Sequence, residues 1–113
     1  MIGVVIPSYN EHESIGALVG QVLTTIGRPC QIVVVDDSPT EKTAEVLFSL
    51  NLENVHLIRR THKGGRGSAV IEGIEKCVNL GCTQIVEMDA DFSHPTEELT
   101  YLMTEASQQK LGL

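Results

Sequence analysis

The sequence predicts an α/β fold in which a mostly parallel sheet is covered by helices. Short runs rich in Val and Ile alternate with segments of helical period, and this βαβαβαβα order implies parallel strands joined by right-handed crossovers. The apolar runs lack strict polar alternation, which is typical of strands buried on both faces. With 113 residues, of which 42% are hydrophobic, the chain is long enough to bury a core.

The four predicted strands are residues 2–6, 31–35, 55–58 and 84–88, and each ends in turn-forming or polar residues. Four parallel strands are few for a doubly wound sheet. We therefore expect the chain to be truncated, with a C-terminal half missing.

The four predicted helices are residues 14–25, 41–50, 68–79 and 96–109. Each carries apolar residues at three- and four-residue spacing, which places them along one side of a helix. In the third helix this apolar stripe consists of Val70, Ile71, Ile74 and Val78. Pro95 followed by Thr96 is typical of a helix start.

Composition excludes several classes of protein. Eight Lys and Arg against fifteen Asp and Glu give a net charge of −7, which argues against a general nucleic-acid binder. No apolar run approaches the ~20 residues needed to cross a bilayer, and the first residues lack the basic start of a signal peptide. Cys30, Cys77 and Cys82 have no C-x-x-C spacing, which predicts reduced thiols and a cytoplasmic location.

Every predicted strand runs into a polar cluster. The carboxyl ends of parallel strands meet at one edge of the sheet, where open α/β sheets bind their ligands. We therefore expect the four clusters to form a site. They are residues 7–11, 36–40, 59–68 and 89–94.

Asp89 and Asp91 are separated by one residue and follow a buried strand. Two such carboxylates can converge on one Mg²⁺ or Mn²⁺, ions that prefer oxygen ligands and share them with substrate phosphates. The alternative is a solvated loop with an Asx turn. The other strand-end clusters favour the metal.

Asp36 and Asp37 form a second carboxylate pair. Adjacent acids repel unless one of them binds a ligand or pairs with a base. Carboxylates accept hydrogen bonds from ribose hydroxyls and nucleobase N–H groups, so the pair indicates nucleoside binding. A plain turn at residues 37–40 is the alternative.

Two further clusters suit a nucleotide. Arg59, Arg60, Lys63 and Arg66 flank a glycine-rich turn at a predicted helix start, where backbone N–H groups favour phosphate; a solvated basic turn is the alternative. After Pro7, Tyr9 could stack on a base and Glu11 could accept hydrogen bonds from its edge. Glu11 could equally open the following helix.

Four segments, residues 4–11, 33–37, 63–69 and 88–95, together resemble the inverting family 2 glycosyltransferases of the GT-A fold. Among these they most resemble the dolichol-phosphate (polyprenyl-phosphate) mannosyltransferases. The resemblance implies a Rossmann-like, three-layer α/β/α nucleotide-diphospho-sugar transferase. Residues 1–113 would be its nucleotide-sugar-binding N-terminal part, with the acceptor-side half absent. The sequence departs from the family at residues 38–42, where the common Asp-Asp-Gly-Ser turn is replaced.

The resemblance also implies ligands and residue roles. The donor would be GDP-mannose, and the acceptor a polyprenyl or dolichyl phosphate at the cytoplasmic face of a membrane. Asp89 and Asp91 would hold Mg²⁺ or Mn²⁺, and Asp91 would be catalytic through that metal. The residues expected to bind the nucleotide-sugar are Pro7, Tyr9, Glu11, Val35, Asp37, Lys63, Asp89, Ala90 and Asp91.

No general base is assigned, because an acceptor phosphate monoester has a second pKa near 6 and is largely a dianion at neutral pH. Such a nucleophile attacks the anomeric carbon in line and inverts its configuration.

Two alternatives stay open at this point. Residues 89–93 also fit the D-x-D-x-[ST] string of haloacid-dehalogenase-type phosphohydrolases, although only 22 residues follow Asp91 for the further motifs of that class. The other alternative is a truncated chain that binds nucleotide without transferring a sugar.

Overall fold

The computed structural model describes residues 1–60 and 65–90. Within them the elements are β1 (Ile2–Ser8), α1 (Ile15–Ile26), β2 (Cys30–Asp36), α2 (Lys42–Leu50), β3 (Val55–Arg59), α3 (Gly65–Asn79) and β4 (Gln84–Glu87). These seven elements agree with the predicted ones to within three residues at either end. The predicted helix at residues 96–109 lies outside the described residues.

The four strands form one parallel sheet in the order β3-β2-β1-β4. β1 lies in the interior of this sheet and pairs with β2 on one side and β4 on the other, so that Ile2 lies beside both Cys30 and Gln84. The chain moves outward from β1 to β3 and then returns past β1 to β4. The strand order therefore reverses between β1 and β4, the position where open α/β sheets bind ligands.

Helices cover both faces of the sheet. Val4 and Ile6 of β1 pack in one apolar cluster with α1 and α2. Val5, which points the other way because strand side chains alternate, packs in a second cluster with Ala69 and Cys77 of α3. The result is the predicted three-layer α/β/α arrangement.

The predicted apolar stripe of α3 is wrong in part: Ile74 packs against the core and Val70 is half-buried, but the other two members point away from the sheet. Ile71 and Val78 are 59% and 50% exposed, and the sheet-facing line consists of Ala69, Gly73 and Cys77 at four-residue spacing. These small residues let the helix approach β1 so closely that a Cβ added at Gly73 would meet the Cγ1 atom of Val5. The close packing of α3 on β1 therefore determines which side of the helix faces the sheet. The larger apolar side chains do not determine it.

Strand β3 departs from the prediction of strands buried on both faces. Four of its five residues are half-buried, and the fifth, Arg59, is exposed. The physical reason is its position, because within the described sheet β3 has a neighbour only on the side of β2.

The ends of α1 and α2 are set by residues that adopt the left-handed conformation. Gly27 has a φ of 62° and donates its backbone N–H to the carbonyl of Leu23 at 3.1 Å. Asn51 has a φ of 51° and closes α2 on the carbonyl of Phe48. Glycine and asparagine tolerate this conformation better than other residues do, so the sequence fixes where each helix stops and the chain returns to the sheet.

The three cysteines are free and buried, as predicted for reduced thiols. Burial raises the pKa of Cys30, Cys77 and Cys82, and the pKa of Cys77 rises to about 12 because the neighbouring Cys82 adds to the effect of burial. None of the three described helices combines the length and the apolar character that a bilayer crossing demands.

We predict opposite effects on stability for alanine at two helical glycines. Gly73→Ala places a methyl group against Val5 and Val35, and overpacking of this kind costs about 1–3 kcal/mol. Gly20→Ala, in α1, meets no atom within 4 Å and should stabilise the protein by about 0.5 kcal/mol, because alanine restricts the unfolded chain. Urea unfolding of both variants measures the effects. Equal stability of Gly73→Ala and the wild type would contradict the close packing of α3 on β1.

We also predict that the three thiols are inert while the protein is folded. A raised pKa means that each thiol stays protonated at pH 8, and the protonated form is a poor nucleophile. Ellman's reagent at pH 8 should therefore detect no reactive thiol in the native protein and three after unfolding in guanidinium chloride. Fast labelling of one cysteine before unfolding would show that its burial is wrong.

Candidate functional site

The carboxyl edge of the sheet brings the strand-end clusters into one row. Beyond the paired strands, backbone hydrogen bonds continue the alignment. The N–H of Asp37 donates to the carbonyl of Ser8 and the N–H of Arg60 to the carbonyl of Asp36, both at 3.0 Å. On the other side of β1, the N–H of Met88 donates to the carbonyl of Val5 at 3.0 Å. The four strand ends are therefore held in register at this edge.

The two adjacent acids after β2 have different environments. Asp36 is fully buried, and its Oδ1 accepts a hydrogen bond from the hydroxyl of Ser38 at 2.6 Å. Its Oδ2 lies 3.9 Å from the Nε of Arg59. The same Ser38 oxygen accepts the backbone N–H of Asn10 at 2.7 Å. Asp36 thus fixes the end of β2 against the loop after β1, and its burial keeps it from a ligand.

Asp37 forms an ion pair with Arg60, which offsets the repulsion expected between the adjacent carboxylates of Asp36 and Asp37. The guanidinium of Arg60 donates from Nε to Oδ1 and from Nη2 to Oδ2, each at 2.6 Å. The side chain of Arg60 is only 3% exposed and that of Asp37 is 12% exposed. The hydrogen bond to Asp37 raises the pKa of Arg60 and outweighs the opposing effect of burial. Two parallel charge-assisted bonds are the strongest form of this contact.

The residues after β1 line the middle of the edge. Tyr9 follows the strand directly and is 44% exposed, whereas Pro7 and Glu11 are half-buried. The carbonyl of Glu11 accepts the backbone N–H groups of Ser14 and Ile15 at 3.1 and 2.9 Å, so Glu11 also opens the first turn of α1. The exposure of Tyr9 is compatible with base stacking, which stays a prediction.

Val35, predicted to lie beside the nucleobase, is fully buried in the cluster beneath α3. Its side chain is enclosed by core residues, which leaves only the backbone of Val35 near the edge. Its role in binding stays a prediction.

At the end of β4, Asp89 is half-buried and Ala90 is buried. The carbonyl of Ala90 accepts a hydrogen bond from the hydroxyl of Ser14 at 2.8 Å. This contact joins the start of α1 to the Asp89-Ala90-Asp91 segment. Asp91 and Lys63 lie outside the described residues, so their predicted roles are untested.

The strand order separates the two acidic groups. Asp37 follows β2 and Asp89 follows β4, with β1 between them, a distance of about 10 Å at the usual strand spacing. Both oxygens of Asp37 already accept hydrogen bonds from Arg60, whereas Asp89 has no arginine of β3 beside it in the strand order, so Asp37 and Asp89 mark two ends of an extended site.

The donor chemistry at the β4 end fits the predicted metal. Asp89 supplies a carboxylate, the donor type that Mg²⁺ and Mn²⁺ accept, and Mg²⁺ completes its shell with water and substrate phosphates. In residues 1–60 and 65–90 no three His, Cys, Asp or Glu side chains cluster as a metal site. The second predicted ligand, Asp91, falls beyond that part of the chain.

Sequence reasoning missed the hydroxyl groups that connect the strand ends. Ser14, Ser38 and Ser68 each bond to a different loop or strand end. Ser38 could have been found from its position two residues after Asp36, which is typical of an Asx-type turn. Ser14 precedes a helix, but its bond to Ala90 spans 76 residues and has no local signal.

The basic residues at the end of β3 also differ in their contacts. Arg59 binds the carbonyls of Ser38 and Thr40 at 3.3 and 3.1 Å, and so holds the loop between β2 and α2. Arg60 binds Asp37. Among the four basic residues predicted to bind phosphate, these two therefore have partners in the protein itself.

Two surface grooves lie beside the helices, and of the described strand-end residues only Arg59 lines one of them. One of about 500 Å³ lies along α3 and is lined by Ile71, Ile74, Glu75, Val78 and Asn79. The other, of about 440 Å³, lies between α2 and β3. The first is mainly apolar, and neither includes Tyr9, Asp37 or Asp89. The strand ends, and not these grooves, carry the chemistry.

Comparison with known proteins identifies the family of the chain. The profile described as Glycosyl transferase family 2 matches residues 3–112. A polyprenol monophosphomannose synthase of Mycolicibacterium smegmatis is 39% identical over 102 residues, covering 88% of this chain and 38% of the relative. An undecaprenyl-phosphate 4-deoxy-4-formamido-L-arabinose transferase of Pectobacterium atrosepticum is 32% identical over 113 residues, covering 95% of this chain and 34% of the relative.

A solved structure has a similar fold. A mannosyltransferase of Pyrobaculum calidifontis, in complex with GDP-Man and Mn²⁺, has a TM-score of 0.70 at 22% identity, over 96% of this chain and 31% of that one. This similarity confirms the predicted GT-A type of α/β fold.

The chain spans 29% to 41% of the length of the curated relatives it matches. Because the family profile nonetheless matches almost every residue of the chain itself, this protein belongs to glycosyl transferase family 2.

Proposed function

We propose that this chain is the donor-binding part of a metal-dependent inverting glycosyltransferase, which moves mannose from GDP-mannose to a polyprenyl or dolichyl phosphate. The observation that carries the proposal is the alignment of Tyr9, Asp37 and Asp89 along the carboxyl edge of one parallel sheet. Relatives named as polyprenyl-phosphate and dolichol-phosphate mannosyltransferases support the reaction class. The neighbour in complex with GDP-Man and Mn²⁺ supports the donor and the metal.

The nucleoside binds at the β1 and β2 ends. There the exposed ring of Tyr9 stacks on the base, and Glu11 accepts hydrogen bonds from the base edge. Asp37 accepts hydrogen bonds from a ribose hydroxyl or a base N–H. Each Asp37 oxygen already accepts one bond from Arg60, but a carboxylate oxygen has a second acceptor position. A ligand can therefore bind without breaking the pair.

The diphosphate binds at the β4 end, about two strand spacings from Asp37. Asp89 and Asp91 hold Mg²⁺ or Mn²⁺ there, with Ala90 against the donor and Lys63 on a phosphate. When bound, the metal offsets the charge that develops on the leaving diphosphate. The hydrogen bond from Ser14 to Ala90 keeps this segment beside the start of α1 while the donor is held.

The acceptor makes a general base unnecessary. A phosphate monoester is largely a dianion at neutral pH, since its second pKa lies near 6. It attacks the anomeric carbon directly and inverts its configuration, and the chain's own residues position the donor for that attack. Asp91 contributes through the metal.

Of the two alternative functions, the phosphohydrolase is no longer supported and the nucleotide-binding chain remains. The haloacid-dehalogenase hypothesis loses its basis, because the glycosyltransferase profile includes residues 89–93, the segment on which that hypothesis rested. A nucleotide-binding chain without transfer activity stays a candidate, since the chain is about a third as long as its relatives.

We predict nucleotide binding that depends on Mn²⁺ and on the β4 acids. Calorimetry should detect GDP and GDP-mannose binding in the presence of MnCl₂. Asp89→Asn and Asp91→Asn should each weaken the binding by at least about tenfold, because an amide is a poorer ligand for a hard cation. Glu53→Gln is the matched control, since Glu53 is exposed in the loop before β3, at the opposite edge. Unchanged affinity in both aspartate variants would contradict the proposed metal site.

Transfer itself is tested with a short-chain polyprenyl phosphate and GDP-mannose, using the longest natural form of the protein. The expected product carries mannose with inverted anomeric configuration, which NMR coupling constants report. Binding of GDP-mannose without any product would favour the alternative of a chain that binds nucleotide only.

A further inference from the structure

Arg60 occupies an unusual position for an arginine. It follows β3 directly, its side chain is 3% exposed, and all three guanidinium nitrogens donate hydrogen bonds within the protein. Nε and Nη2 bind Asp37, Nη1 binds the hydroxyl of Ser68 at 2.7 Å, and Nη2 also reaches the carbonyl of Gly65 at 3.1 Å. Glu72 lies 3.8 Å from Nη1. Every nitrogen of the Arg60 guanidinium therefore has a hydrogen-bond partner inside the protein.

The preceding arginine has a different environment. The side chain of Arg59 is one-third exposed, and its ion pair with Glu41, which is 77% exposed, has a distance of 3.4 Å. Exposed pairs of this kind contribute little to stability. The two consecutive arginines thus have different roles. Arg59 binds a surface loop, whereas Arg60 is buried and binds a carboxylate.

Removing an arginine from water has a large cost, which only good geometry and full hydrogen bonding can offset. The contacts of Arg60 meet that condition, and they also restrict Asp37. The two ends of the fork bind the two carboxylate oxygens and so fix the plane of the carboxylate. The remaining acceptor position on each oxygen then points in a defined direction. With 12% of its side chain exposed, Asp37 offers a ligand only a narrow approach.

We infer that Arg60 is a positioning residue for nucleoside binding: it orients Asp37 toward an N–H or O–H donor of the donor nucleoside. The inference rests on the proposed function, in which Asp37 contacts the nucleoside. Arg60 also binds Ser68 and Gly65 in the first turns of α3, so the helix start and Asp37 are held as one unit. Lysine cannot replace it, because an ammonium group has no planar fork.

A double-mutant cycle on nucleotide affinity tests this inference. Calorimetry with GDP and MnCl₂ is applied to the wild type, Arg60→Lys, Asp37→Asn and the double variant. Arg60→Lys keeps the positive charge and removes the fork, so we expect about tenfold weaker binding. Asp37→Asn should lose a similar factor. The double variant should bind no more weakly than the weaker single variant, because Arg60 acts only through Asp37.

Two further variants complete the design. Arg28→Lys is the matched control, since Arg28 is exposed before β2 at the amino edge of the sheet, and its affinity should equal that of the wild type. Ser68→Ala removes one contact of Arg60 without touching Asp37, so it serves if Arg60→Lys fails to fold. It should weaken binding by a smaller factor, and by none in the Asp37→Asn background. Circular dichroism checks that each variant is folded at the temperature of the titration.

The outcomes separate the two proposals. No binding of any nucleotide by the wild type with Mn²⁺ overturns the proposed function itself. Binding by the wild type with equal affinity in Arg60→Lys overturns the inference alone. Losses that add in the cycle overturn it too, because they mean that Arg60 affects the nucleotide by a route other than Asp37.

Discussion

Parallel pairing of β1 with a strand on each side is the constraint on which the rest of the site depends. Because β1 is bonded to both β2 and β4 in parallel, the three strands deliver their carboxyl ends to the same edge. The hydrogen bonds from Asp37 to Ser8 and from Met88 to Val5 then carry this register past the strands. A single broken register would move every following side chain to the other face of the sheet. The positions of Tyr9, Asp37 and Asp89 are therefore consequences of backbone pairing before any ligand is present.

Polar contacts between loops hold the residues after the strands in fixed positions at this edge. Ser38 joins Asp36 to the backbone of Asn10, and Ser14 joins α1 to Ala90. The contacts of Ser38 with Asn10 and of Ser14 with Ala90 span 28 and 76 residues in sequence but join neighbouring parts of the edge. Hydrogen bonds of this kind have modest net free energies, about 1 kcal/mol each, but leaving a buried partner unsatisfied costs more. The edge is consequently most sensitive to loss of its buried charged groups, which are Asp36 in these contacts and Arg60 in the contacts with Asp37 and Ser68.

The fold could be predicted from sequence because continuous Val and Ile runs and the alternation of elements are strong local signals. The side of α3 that faces the sheet could not be predicted in the same way. The spacing of apolar side chains favours Ile71 and Val78, whereas close packing against Val5 requires glycine at position 73. At the site, the sequence located the acids at the strand ends. The residue pattern alone could not distinguish Asp36 from Asp37, and only the family resemblance favoured Asp37, because the physical difference depends on Ser38 and on an arginine 23 residues away. Contacts at such separations have no periodic signature, which is why Arg60 was grouped with its basic neighbours.

The charges at the two ends of the edge account for where a cation is needed under the proposed function. At the β2 end, Asp37 is paired with Arg60 and Asp36 lies near Arg59, so each of these two carboxylates has an arginine beside it. Arg59 ends β3 and Arg60 follows it, three strand spacings or about 14 Å from β4, which is too far for an arginine side chain to reach. Neither can therefore offset the acids that follow β4. A diphosphate that approaches Asp89 and Asp91 brings further negative charge to the same place, and close like charges repel strongly where water is excluded. Under the proposed function, a divalent cation would offset both the acids and the diphosphate at this end of the site.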